Sequence, residues 1–389
     1  MALKRIYLDN NATTQPAPEV VEAMLPYLYE KFGNPSSKSH YFGWEAESAV
    51  ENSRTILANF INADKKEIVF TSCATESINT VHNGISESYS FKGNHIISSQ
   101  VDHHASLDSL ANLENKGIEV TYLPVDRYGL VDSYELEKAI KPNTILVSII
   151  YANNEIGSLN NIKEIGQICR NRNVLFHTDA VQALGKIKFD VQEQFVDLAS
   201  FSGHKLHGPK GVGALYIKNK VKLKPLLFGG GQENNLRSGT LNVPGIVGFG
   251  KAVELANNNM DEDAKRISFL RDLLYLELKN QIEGITLNGH PENRLPGNLN
   301  ISIDGVKADN LIAEIKNIAF STSSACTSSK AKVSHVLKAI KLEENLLSST
   351  IRFGLSRYTT KEEILETIKI FSEKIQYLRS ISPLTLING

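Results

Sequence analysis

Thr144-Ile145-Leu146-Val147-Ser148-Ile149-Ile150 is an almost wholly apolar run. After it, Ile162, Ile165, Ile168 and Cys169 recur at helical spacing up to Arg172, and Val174-Leu175-Phe176-His177-Thr178 is largely apolar again. Strands covered on both faces read as continuous apolar runs, and parallel neighbours need a crossover between them, usually a helix. Residues 144–178 therefore read as strand, helix, strand. The same alternation extends outward, with strands expected at Glu67–Ser72, His95–Ser99, Ile118–Leu123, Val196–Ser202 and Val212–Ile217. Helical patterns fall between them at Thr75–Ser88, His104–Lys116 and Asp132–Ile140. The fold class is α/β, built on a mainly parallel sheet of seven strands.

The pattern changes after residue 256. Asn257-Asn258-Asn259-Met260-Asp261-Glu262-Asp263 is polar and reads as a break between a helix ending near Ala256 and a long helix over Asp263–Ile282. Short strands near Asn298–Ile303 and further helices follow. We expect a large domain over 15–258 and a smaller α+β domain made of 1–14 and 259–389. With 42 Lys+Arg against 43 Asp+Glu the net charge is −1, so no bulk positive field recruits nucleic acid or an anionic membrane. The three cysteines, Cys73, Cys169 and Cys326, contain no CxxC pair, which argues against a disulfide framework and a Cys-rich metal site. No apolar run approaches membrane-spanning length, and the N-terminus lacks a signal-peptide pattern. A reducing, cytoplasmic compartment is the expectation.

Two strand ends carry chemistry. Ser200-Phe201-Ser202-Gly203-His204-Lys205-Leu206-His207-Gly208-Pro209 delivers hydroxyls, an imidazole and a lysine into a Gly/Pro loop. Open α/β sheets bind ligands just past the carboxyl ends of their strands. Lys205 there is either a turn lysine or a partly desolvated amine able to form a Schiff base. His204 and His207 have the spacing of metal ligands, but no Cys or acid lies near them in sequence. The second strand, Val174–Thr178, runs into Asp179, either a helix N-cap or a carboxylate awaiting a cation. Pyridoxal phosphate offers both partners, a ring nitrogen for Asp179 and an aldehyde for Lys205, with Gln182 within reach of the ring. Its phosphate finds a seat where Cys73-Ala74-Thr75-Glu76-Ser77 opens a helix, aided by Thr75, Ser202 and His204.

Other segments are read in the same way. Gly245-Ile246-Val247-Gly248-Phe249-Gly250-Lys251 has P-loop spacing, but Ala252 replaces the magnesium-binding hydroxyl and Pro244 sits where a strand should end. It reads as a helix whose small residues permit close packing. Cys169 belongs to an apolar helical stripe, whereas Cys326 lies in Ser321-Thr322-Ser323-Ser324-Ala325-Cys326-Thr327-Ser328-Ser329, a hydroxyl-rich loop expected to be exposed and mobile. Lys330 and Lys332 favour its thiolate. Arg352 alternates with Ile351 and Phe353 on a strand, as a carboxylate clamp or a solvated edge residue. His103 and His104 begin a helix, where one could stack on a cofactor ring and move protons.

Together these segments resemble the NifS/IscS-like cysteine desulfurases, class-V members of the fold-type-I pyridoxal-phosphate enzymes. The resemblance runs nearly end to end, through Tyr7-Leu8-Asp9-Asn10-Asn11-Ala12-Thr13-Thr14, Phe32-Gly33-Asn34-Pro35-Ser36-Ser37, Thr71-Ser72-Cys73-Ala74-Thr75-Glu76-Ser77 and Asn153-Asn154-Glu155-Ile156-Gly157. It continues in the lysine loop, Arg237-Ser238-Gly239-Thr240 and Ser323-Ser324-Ala325-Cys326-Thr327.

The resemblance implies a homodimer with active sites at the subunit interface. Lys205 would bind pyridoxal 5'-phosphate, Asp179 its ring nitrogen and Gln182 its ring hydroxyl. His103, which occupies the family's motif position, would stack on the ring and act in proton transfer. Ala74, Thr75, Ser202 and His204 would hold the phosphate, with Thr240 contributed by the partner. Asn154 and Arg352 would bind the carboxylate of L-cysteine. Cys326 would take the sulfur as a persulfide, leaving L-alanine, and pass it to an iron–sulfur scaffold or another acceptor protein. No permanent metal is implied, although Cys326 could transiently ligate a nascent cluster. Selenocysteine lysis, or another class-V reaction on this cofactor, is the alternative. Cys73 stands where many relatives have Gly, and Gln232 where many have His.

Overall fold

The computed structural model describes residues 5–322 and 333–381. In chain order the strands are β1 (Ile6–Tyr7), β2 (Ile68–Thr71), β3 (His95–Ser99), β4 (Glu119–Leu123), β5 (Thr144–Ile150), β6 (Leu175–Asp179), β7 (Leu198–Ser202) and β8 (Gly213–Ile217). They continue as β9 (Ile285–Asn288), β10 (Asn298–Ile303), β11 (Ile318–Ala319), β12 (Ser321–Thr322) and β13 (Thr350–Gly354). Strands β2 to β8 form one seven-stranded sheet in the order β2-β8-β7-β6-β5-β3-β4. Neighbours from β7 to β4 are parallel, and β8 runs antiparallel to both β7 and β2. The seven strands expected from the apolar runs are all present. Every residue of β5 is buried, because helices cover both faces of the sheet.

This topology aligns five chain segments at one edge. Since β2 and β7 are both antiparallel to β8, they run in the same direction, and so do β6, β5 and β3. Their carboxyl ends release Cys73–Thr75, Lys205, Asp179, Asn154 and His103 on the same side of the sheet. That is the edge at which open α/β sheets bind ligands.

A second sheet, antiparallel, has the order β12-β13-β10-β9. Its core joins Leu299, Ile301 and Phe353 to Ile364, Phe371 and Ile375 of helix Lys361–Ser380. Ile6 and Leu8 belong to the same core, and β1 pairs in parallel with β11. The N-terminal segment thus packs with the last third of the chain.

The expected break at 257–263 is corrected by the structure. One helix runs from Val243 to Gln281. The polar stretch contains no Gly or Pro to stop it, and polarity alone marks only a solvated helix. Asn259 Nδ2 donates back to the Leu255 carbonyl (2.7 Å), and Asp263 pairs with Arg357 (2.9 Å). We propose that the boundary between 15–258 and the remainder falls inside this helix, which serves both cores. Its first turns carry the glycine-rich segment. A side chain at Gly248 would meet Met24 Sδ at 2.5 Å and one at Gly250 would meet Ser53 Cβ at 2.7 Å, so the glycines serve close helix packing.

Candidate active site

An open cavity of about 840 Å³ lies at the shared strand edge. It gathers Ala74, Thr75, His103, Asn154, Asp179, Gln182, Ser202, His204, Lys205 and Arg352. Thr240 is exposed and does not line it, and Cys326 lies outside the described residues.

Lys205 ends the short 3₁₀ turn Gly203–Lys205 that follows β7. Its Nζ donates to the carbonyls of Asn11 (2.9 Å) and Ala12 (2.5 Å), which fixes the amine at the cavity floor. The N-terminal segment is stapled beneath it. Thr14 Oγ1 donates to the His204 carbonyl (2.9 Å) and accepts the His207 N–H (2.8 Å). His204 Nδ1 meets Thr13 Oγ1 (3.1 Å) and His207 Nδ1 the Gln15 carbonyl (2.8 Å), so the two imidazoles are drawn to separate partners rather than to a common ion.

Asp179 is no helix N-cap. Its Oδ1 accepts the Val181 N–H (3.0 Å) in a turn that follows β6. Burial is the largest influence on its carboxyl, pushing the pKa up to about 6 against the opposing Val181 hydrogen bond and the Lys205 charge. No cation pairs with it among the described residues. A carboxylate so placed gains by facing a positive ligand group.

The expected phosphate seat, residues 73–77, lies at the start of helix Ala74–Ser88. Cys73, the N-cap, makes no side-chain cap, so its thiol does not compete for the first-turn N–H groups, and its carbonyl accepts only the Ser77 N–H (3.2 Å) among them. A Cβ at Gly213 would lie 2.8 Å from the Cys73 carbonyl carbon, so β8 reaches the seat only because residue 213 lacks a side chain. Ser202 and His204 stand on the same cavity wall.

His103 caps helix His104–Glu114, its Nδ1 accepting the Ala105 N–H (3.1 Å). The neutral ring therefore carries its proton on Nε2. Although the side chain is open to the cavity, desolvation by the surrounding walls, assisted by the Lys205 charge, lowers its pKa to about 4. His104 instead turns outward toward Asp108 (3.6 Å).

Arg352 is not a solvated edge residue. β13 lies between β12 and β10, and Arg352 is 5% exposed. Its Nη2 bonds Asp9 Oδ1 (2.9 Å) and Ser321 Oγ (3.2 Å), and its Nη1 the Asn154 carbonyl (3.0 Å), while buried Nε has no partner among the described residues. The sequence reading assigned no role to Asp9, Asn11 or Ala12, although they stand in a quoted motif. Lys186, which donates to Gln182 Oε1 (2.8 Å), was also assigned no role, although it lies only four residues beyond Gln182.

Residues 6–366 match the class-V aminotransferase family. The chain belongs to that family. This class-V chain is 50% identical over 381 residues to "Cysteine desulfurase IscS" of Anaeromyxobacter dehalogenans, covering 97% of itself and 94% of the relative. It is 49% identical over 381 residues to the protein of the same name in Rickettsia typhi, with 97% and 93% covered. Among solved structures, a "NIFS-like protein" superposes with a TM-score of 0.90 at 40% identity, covering 96% of this chain and 100% of the other. "SspA in complex with cysteine" superposes with a TM-score of 0.80 at 35% identity, covering 91% and 100%. The fold is that of the fold-type-I enzymes, whose cofactor is pyridoxal 5'-phosphate. The unpaired buried carboxylate, the lysine amine and the uncapped helix N-terminus of the class-V cavity fit its pyridine nitrogen, aldehyde and phosphate.

Proposed function

We infer that this chain is a pyridoxal-phosphate-dependent cysteine desulfurase that forms L-alanine from L-cysteine and loads the sulfur on Cys326. One observation carries the reading: the Lys205 amine, the Asp179 carboxylate that no described cation pairs, and the Arg352 side chain line a single cavity. When bound, the cofactor supplies an electron sink for negative charge developing at the substrate Cα.

The chain's own residues do the rest. Asp179 faces the ring nitrogen and Gln182 the ring hydroxyl, while Ala74, Thr75, Ser202 and His204 hold the phosphate, joined by Thr240 of a second copy. The Arg352 guanidinium and the Asn154 side chain take the substrate carboxylate, a charge-assisted contact that orients Cα toward Lys205. Lys205 Nζ removes and returns the Cα proton. His103 presents its Nε2 proton at the cavity wall. The Cys326 thiolate attacks the substrate sulfur, so an S–S bond forms as the C–S bond breaks and a proton goes to the carbon left behind. Cysteine plus enzyme thiol gives alanine plus enzyme persulfide, with no outside oxidant.

The homodimer is part of the proposal. Phe32 (68% exposed) stacks with Phe42, and Tyr41 and Trp44 lie exposed nearby in sequence, an apolar surface that a second copy would cover. No helix among the described residues is long and apolar enough to cross a membrane. We place the enzyme in the cytoplasm, passing sulfur to an iron–sulfur scaffold or another acceptor protein. The test is release of alanine and sulfide from L-cysteine and a reductant by cofactor-loaded protein. Equimolar products are expected; no alanine would overturn the assignment.

A further inference from the structure

We propose that Lys186 is a positioning residue for the cofactor, setting the orientation of the Gln182 side-chain amide. The inference rests on the reading of Gln182 as the contact to the ring hydroxyl.

The geometry begins with a turn. After Asp179 the chain bends back and Gly185 adopts φ +73°, where a Cβ would also strike Ala256 Cβ at 2.9 Å. That left-handed residue brings Lys186 against Gln182. Lys186 Nζ donates to Gln182 Oε1 (2.8 Å), and Gln182 Nε2 donates to the Asn11 carbonyl (2.9 Å). The same carbonyl accepts from Lys205 Nζ (2.9 Å). A continuous set of hydrogen bonds therefore joins Lys186 to the amine that would bond the cofactor.

The Asn11 main-chain carbonyl, an acceptor only, takes an N–H from Gln182 Nε2 (2.9 Å), but Gln182 Oε1 has only a long contact from Asn11 Nδ2 (3.5 Å). Lys186 supplies the short hydrogen bond to that oxygen, and an ammonium group has donors only, so it holds the amide in the same sense. With Oε1 committed to Lys186, one N–H of Gln182 is used on Asn11 and the second is left for the ring oxygen. A flipped amide would present a carbonyl oxygen to that oxygen and repel it.

Lys186 also has no carboxylate partner among the described residues. It opens on a second cavity, of about 660 Å³, behind Lys205, lined also by His207 and the Asp263–Arg357 pair. Burial, and then the Lys205 and Arg352 charges, lower its pKa to about 7. Its amine keeps an N–H for Gln182 in either protonation state, and in the charged state it adds a cation beside the site.

An N–H donated to the ring oxygen, and a nearby cation, both make the cofactor release its visible-band proton at lower pH. The experiment follows the visible absorbance band of the cofactor-loaded protein against pH for wild type, Lys186→Met and Lys186→Arg. The pH at which the band half-converts should rise by about one unit in Lys186→Met and return toward wild type in Lys186→Arg. An unchanged midpoint in Lys186→Met overturns the inference, as does a lowered melting temperature with an unaltered band. If Lys186→Met does not fold, Lys186→Gln, which lacks the charge and is shorter, should show a raised midpoint; an unaltered one is equally fatal. Wild-type protein that acquires no visible band with pyridoxal phosphate would refute the assigned function itself, whereas a normal wild type with an indifferent Lys186→Met refutes only the role of Lys186.

Discussion

Arg352 and Asp9 form an ion pair of 2.9 Å across 343 residues of sequence, with both side chains largely withdrawn from solvent. The pair ties the N-terminal segment that contacts Lys205 to the strand that carries the guanidinium proposed to bind the substrate carboxylate. Asp9→Asn should leave the guanidinium less firmly oriented. We expect the KM for L-cysteine to rise roughly tenfold, equivalent to about 1.4 kcal/mol, with a smaller change in kcat. Stability should fall by about 1–3 kcal/mol, read as a lower denaturant midpoint at unchanged slope. A KM indistinguishable from wild type would mean that Arg352 orients itself without Asp9.

Asp179 gives a pH effect of definite sign. Its pKa in the folded, cofactor-free protein is raised to about 6, chiefly by burial, so between pH 4 and 6 the native state binds more protons than the unfolded chain. Stability from this group is greatest below the unfolded pKa and is lost as pH rises toward 6. Cofactor-free Asp179→Asn should match the wild type near pH 4 and exceed it by about 1–3 kcal/mol at pH 7. Cofactor should stabilise the wild type more than the variant at pH 7, measured as the rise in Tm on loading.

Buried histidines act in the opposite sense. His82 Nε2 meets Ser148 Oγ (3.0 Å), which meets His177 Nδ1 (2.8 Å), and His177 Nε2 meets Ser200 Oγ (2.9 Å). Burial lowers the His82 pKa to about 3 and depresses that of His177 as well. The unfolded chain therefore binds more protons below pH 6.5, and stability present above that pH is lost as pH falls. His82→Gln should make the decline between pH 6 and 4 shallower by about 1.4 kcal/mol per pH unit. Parallel wild-type and variant curves in urea titrations would refute this.

Cys326→Ala should keep the visible cofactor band, since none of the proposed cofactor contacts comes from residue 326. Cysteine-dependent alanine release and protein persulfide should both fall to background. If selenocysteine is also a substrate, its turnover by this variant measures how far that reaction depends on the same thiol.

Much of this was legible in the chain because the signals were local. β5 and β6 are apolar since both faces of the sheet are covered, and Asp179 and Lys205 are visible because each breaks such a run at its carboxyl end. The glycines at 245, 248 and 250 could be read as packing residues because a missing hydroxyl and a preceding proline are local facts too. Polarity at 257–263 misled for the complementary reason: a solvated helical turn and a loop have similar composition, and neither Gly nor Pro was there to distinguish them.

The sequence by itself determined the α/β alternation, the family and the residue types able to carry the chemistry. Tertiary structure alone decided which groups meet. Asp9 reaches Arg352 and Asn11 reaches Lys205 through turns and strand order, none of which is written at those positions. A side chain's propensity depends on its near neighbours in the chain, whereas an ion pair or an amide orientation depends on distances of a few ångströms. The fold alone brings residues hundreds apart within that range.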